Sequence, residues 1–118
     1  MREINIGINK FTRIIRADEP SFGGACHVYK IELLKALQNE TITKIYFQKG
    51  PIKENGINGC HNEDLIAIVI DRLQSFQKGE FACRENALAL TKLEEALHWL
   101  QHRTREREQR GVEGTNQI

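Results

Sequence analysis

Four leucines, Leu90, Leu93, Leu97 and Leu100, recur at three- and four-residue spacing within the stretch from Phe81 to Arg110. Residues so spaced share one face of an α-helix, so this stretch is predicted to be the longest helix of the chain and to bury that face. From Cys83 to Gln109 it would reach about 40 Å, against about 22 Å for the helix expected before it, at 1.5 Å per residue. The far half therefore overhangs. An overhang carrying Leu97, Trp99 and Leu100 needs another surface, and a second copy of the chain is its simplest supplier.

The preceding helix is expected from Asn62, read as its N-cap, to about Gln77, with Glu63 and Asp64 suiting the dipole of the first turn. Its Leu65, Ile66, Ile68, Val69, Ile70, Leu73 and Phe76 cover more than one stripe, which predicts burial on two sides. Gly79 is placed to end it, and so short a break makes an antiparallel hairpin. The N-terminal half carries a different period. Ile4, Ile6 and Ile8 alternate with polar residues and Phe11 to Arg16 is β-compatible, giving one strand or two short ones. A turn over Ala17 to Gly24 follows. His27 to Leu34 and Thr41 to Gln48 then read as strands, with a hairpin loop over the six residues between them. In the second, Ile45 and Phe47 share a face with Thr41 and Thr43, opposite Lys44 and Gln48, as in a sheet with one packed side.

The expected fold class is therefore α+β: a small N-terminal antiparallel β-sheet packed on a C-terminal antiparallel helical hairpin with a long last helix. The 118 residues suggest one domain, with a β-meander over 1–50, a loop over 51–61, the hairpin over 62–110 and a loosely ordered tail over 111–118.

Composition narrows the function classes. A formal charge of +1 argues against a generic DNA, RNA or membrane binder, so any anion site must be local. No apolar run or signal-peptide pattern stands out, and the chain reads as cytoplasmic. Three widely spaced cysteines, Cys26, Cys60 and Cys83, fit reduced thiols better than a disulfide framework. Walker, Rossmann, nucleophile-elbow and zinc-helix motifs are missing. Glu95 with His98, and His98 with His102, have helical spacing for metal ligands, but the first helix offers no matching pair, so neither metal nor cofactor is expected.

The remaining candidates each admit a bland reading. The loop from Lys49 to Gly59, KGPIKENGING, is a connector or a ligand-facing loop with Lys53, Asn55 and Asn58 as donors. Phe81, Arg84 and Asn86 surround a helix start, where an aromatic face, a guanidinium and free N–H groups suit a nucleotide. Alternatively, Phe81 is a hydrophobic staple and Arg84 a surface residue. Arg103 and Arg107 lie one turn apart, as a bidentate phosphate clamp requires, or else form part of a solvated helix end.

The stretch CRENALALTKLEEALHWLQHRTREREQRGVEGT, with FQKGPIKENGINGCHNEDLIAIVIDRLQSF before it, closely resembles a family of small bacteriophage proteins that antagonise the Thoeris defence system. Their helical hairpin is related to that of phage anti-CBASS sponges. The resemblance covers residues 43 to 115 strongly and ADEPSFGGACHVYKI more loosely. It implies a sponge in the host bacterial cytoplasm that binds glycocyclic ADP-ribose without cleaving it. Members form dimers that assemble into hexamers, and some also take cyclic dinucleotides or trinucleotides at separate sites. Phe76, Phe81, Arg84, Asn86, Arg103 and Arg107, with Lys53 and Asn58, are the ligand-binding residues expected here, in pockets shared between subunits. The competing reading is an enzyme that degrades the signal with His98 or His102 as acid or base. A third is a purely self-assembling structural protein.

Overall fold

A computed structural model describes residues 2–7, 10–34 and 40–118. Ile8 of the first expected strand, and the expected hairpin loop apart from Glu40, lie outside the described residues. The chain divides into an N-terminal unit ending at Cys60 and a C-terminal unit beginning at His61.

The N-terminal unit is an antiparallel sheet in sequence order: β1 (Arg2–Glu3), β2 (Thr12–Arg16), β3 (Val28–Leu33) and β4 (Glu40–Tyr46). The N-terminus thus forms two short strands, with Arg2 opposite Arg16. Between β2 and β3, the Asp18 carboxylate accepts the backbone N–H groups of His27 and Val28 at 3.1 and 3.2 Å. Burial pushes its pKa up, but those two donors, together with the nearby charges of His27 and Lys49, hold it below the ordinary aspartate range. On β3, Glu32 is buried and ion-paired to Arg13 at 2.9 Å and to Lys30 at 3.4 Å. The expected alternation on β4 is interrupted. Ile31 pairs with Thr43 but Glu32 pairs with Thr41, so Ile42 is an extra residue on that strand. A bulge of this kind moves Thr41 off the face that Thr43 occupies.

The segment after β4 is not a plain loop. Pro51 opens a single helical turn, α1 (Ile52–Asn55), its fixed φ already suited to a helix start. Gly50 and Gly56 flank the turn with φ of 82° and 69°, as the glycine content leads one to expect. The segment closes on the sheet through Cys60 N–H to Tyr46 O and Gln48 N–H to Cys60 O, both 2.8 Å.

The C-terminal unit is a helical hairpin of α2 (Asn62–Gln77) and α3 (Arg84–Gln109). The N-cap of α2 is His61, one residue before the expected Asn62. The cause is Asp64, whose carboxylate reaches back to the His61 N–H at 2.8 Å and draws Asn62 into the first turn. Leu90, Leu93, Leu97 and Leu100 form the half-buried face of α3, matching the periodicity. Ile70 is the buried residue of α2, whereas Ile68, Val69 and Phe76 are exposed, so within the hairpin α3 covers one face of α2. Ile66, Ile70, Leu73 and Gln77 mark the covered stripe with Leu65 half-buried beside it, and Ile68, Val69 and Phe76 point elsewhere.

Candidate functional site

The turn joining α2 to α3 carries the densest arrangement of candidate groups. Phe81 sits at its far end with 69% of its surface exposed. Its ring meets Phe76 edge-on, with centroids 6.4 Å apart and planes at 88°, a favourable aromatic geometry. Phe76 is backed in turn by the Arg72 guanidinium, 5.2 Å from its ring centre. Phe76 therefore serves as support and Phe81 offers the freer ring face.

Arg84 is the first residue of α3, exposed and without an ion-pair partner among the described residues. Cys83 caps the helix: its Sγ accepts the Asn86 N–H at 3.4 Å. The Asn86 side chain donates back to Phe81 O at 3.4 Å. Asn86 thus braces the turn from the α3 side. Gln77 braces it from the α2 side. Its Oε1 accepts the Cys83 N–H at 3.0 Å and its Nε2 donates to Cys83 O at 3.1 Å. The turn presents an aromatic face, a cation and the positive end of a helix dipole together, a combination suited to an anionic, ring-bearing ligand.

The other arginines fare differently. Arg103 is exposed and free of ion pairs among the described residues. Arg107, one turn on, is 7% exposed and its donors are occupied by the tail. Nε meets Glu113 at 3.3 Å, Nη1 meets Gln117 O at 2.7 Å, and Nη2 meets Val112 O and Thr115 O at 2.9 and 3.2 Å. The tail expected to be loose is therefore folded back over the end of α3, because a buried guanidinium needs acceptors and the tail carbonyls supply them. Arg84 and Arg103 are separated by about 28 Å of continuous helix, so one hairpin does not bring them together.

Lys53 and Asn58 belong to the N-terminal unit. Lys53 is exposed on α1. Asn58 is engaged inside its own loop, accepting the Lys49 N–H and donating to Lys49 O, both at 2.8 Å. The histidines weighed as acid, base or metal ligand flank Trp99 instead: His98 and His102 meet its ring at 5.4 and 5.8 Å. Glu95 pairs with Lys92 at 3.7 Å. Among the described residues, no group of three His, Cys, Asp or Glu side chains converges on a metal position, and no helix is long and apolar enough to cross a membrane.

Gln77 and Arg72 went unnoticed in the sequence. For Arg72 the signal is its position four residues before Phe76, which puts the two on one helical face. For Gln77 it is faint: a long amide at the last position of a helix, just before a glycine-containing turn.

Residues 38–105 match the model of the family described as Acb2/Tad1, hairpin domain. Over 76 residues the chain is 66% identical to Thoeris anti-defense 1 of Bacillus phage SBSphiJ7, a stretch covering 64% of this chain and 54% of that protein. The chain spans about half the length of this relative.

Proposed function

The chain belongs to the Acb2/Tad1 hairpin-domain family, and from that premise we propose that it is a phage anti-defence protein that sequesters glycocyclic ADP-ribose without cleaving it. One observation carries the reading: an exposed Phe81 ring, braced by Phe76, lies three residues before Arg84, which starts α3 and has no ion-pair partner among the described residues. The adenine stacks on Phe81, and Arg84 with the N–H groups of the helix start takes the phosphates. Asn86 and Phe76 shape this end of the site. Arg107 would join only by giving up the bonds it makes to the tail. The name of the Bacillus phage relative, Thoeris anti-defense 1, supports the same pathway.

Arg103 enters the site from another copy of the chain. The helix separation between Arg84 and Arg103 supports a pocket shared between subunits, as does the exposure of Ile68, Val69, Leu88 and Trp99, surface that a dimer or a hexamer would cover. The protein acts in the cytoplasm of the infected bacterium, where the signal is made.

Calorimetric titration with glycocyclic ADP-ribose tests the reading. Saturable binding with a stoichiometry tied to the oligomer supports it, and no heat at micromolar protein refutes it.

A further inference from the structure

We infer that Gln77, which has no place in the ligand contacts argued above, is the positioning residue of the nucleotide site; the inference rests on the function proposed above. Phe81 lies in a turn of six residues between two helices and is largely exposed. An exposed aromatic in an unbraced turn samples many orientations, and a ligand that needs one of them must offset the cost of ordering it.

The Gln77 amide removes that cost in advance. It holds both backbone polar groups of Cys83, accepting the N–H at 3.0 Å and donating to the carbonyl at 3.1 Å, so the last residue of α2 is tied to the N-cap of α3. Two bonds from one planar amide fix direction as well as distance, much as a paired strand would. With Cys83 held, its Sγ receives the Asn86 N–H and the Asn86 amide reaches Phe81 O. Gln77, Cys83, Asn86 and Phe81 thus form one chain of hydrogen bonds that sets the platform relative to the helix start. Gln77 acts through that chain without touching the nucleotide.

The test compares the wild-type protein with Gln77→Ala, Gln77→Glu and Ile70→Val, a core substitution that lowers stability away from the turn. Backbone amide exchange at Cys83 and affinity for glycocyclic ADP-ribose are measured well below the melting temperature. Gln77→Ala removes both bonds to Cys83, and loss of the one that protects the Cys83 N–H predicts exchange about fivefold faster, with affinity reduced by at least a similar factor. Gln77→Glu keeps an acceptor for the Cys83 N–H, so it restores slow exchange and part of the affinity, and it carries the comparison if the alanine variant does not fold. Ile70→Val binds as the wild type does. Equal affinities for Gln77→Ala and Ile70→Val overturn the inference, as does a Gln77→Glu protein whose Cys83 exchange is unprotected. A wild-type protein that fails to bind overturns the proposed function itself, before any variant is compared.

Discussion

The guanidinium of Arg107 donates to the carbonyl of Gln117 at 2.7 Å, a bond spanning ten residues that folds the C-terminal tail back onto the helix it leaves. Together with the bonds to Glu113, Val112 and Thr115, it makes Arg107 the organising centre of this end of the chain. Arg107→Ala is expected to destabilise the protein by about 2 kcal/mol and to open the tail to proteolysis beyond Arg110. Arg103→Ala, at an exposed cation without an ion pair among the described residues, leaves stability and protease resistance unchanged. An Arg107→Ala protein as stable and resistant as the wild type would contradict the assignment.

Glu32 makes a second prediction, through pH. The hydrogen bond from Arg13 holds its carboxyl below the ordinary glutamate range; burial opposes that, and the hydrogen bond from Lys30 adds to it. A pKa lowered on folding means the unfolded chain binds the proton more readily. The ion pairs therefore stabilise fully above the unfolded value near 4.5 and are lost as pH falls through the lowered one. Melting temperature should drop more steeply below that point in the wild type than in Glu32→Gln. Parallel curves for the two proteins would exclude Glu32 as a source of the acid dependence.

Gly59 is required for steric reasons. A Cβ placed there would lie 2.4 Å from the Phe47 carbonyl carbon and 2.6 Å from Tyr46 O, and both are backbone atoms that do not swing aside. Gly59→Ala is expected to cost about 2 kcal/mol or more, within the range for forced overpacking. Gly56→Ser tests a different constraint: nothing stands within 4 Å of its Cβ position, but a φ of 69° with a ψ of −178° is backbone nearly confined to glycine, so its cost is strain, on the order of 1–3 kcal/mol. Chemical denaturation that found Gly59→Ala as stable as the wild type would argue against the closure of this loop on β4.

Substitutions in the turn separate the site from the scaffold. Phe81→Ala and Arg84→Ala each remove an exposed group with little packing around it, so melting temperature stays close to wild type. Affinity for glycocyclic ADP-ribose should fall at least about tenfold for each, the loss of one good contact. Unchanged calorimetric affinity in both would return these residues to the staple and surface readings.

The sequence revealed the hairpin because its signals are local: the leucine stripe on α3, the glycine after α2 and the acidic first turn each depend on near neighbours alone. It misplaced features that depend on one side chain reaching across a turn. Asp64 moves the cap of α2 to His61 by bonding backward. Arg107 looked free because the partners that bury it are backbone carbonyls, which every residue carries and no composition distinguishes. The bulge at Ile42 is legible only once β3 and β4 are in register. The same holds for the site: Phe81 and Arg84 stood out by residue type, whereas Gln77 is ordinary until its amide is seen across from Cys83.

Capture followed by release tests the central claim most directly. Purified protein is incubated with a limiting amount of glycocyclic ADP-ribose until the free signal disappears, the protein is then denatured by heat, and the released nucleotide is analysed. Sequestration predicts quantitative recovery of the intact molecule, with depletion that saturates at the number of sites. A cleaved product, or depletion that continues past that number, would show turnover and contradict the account.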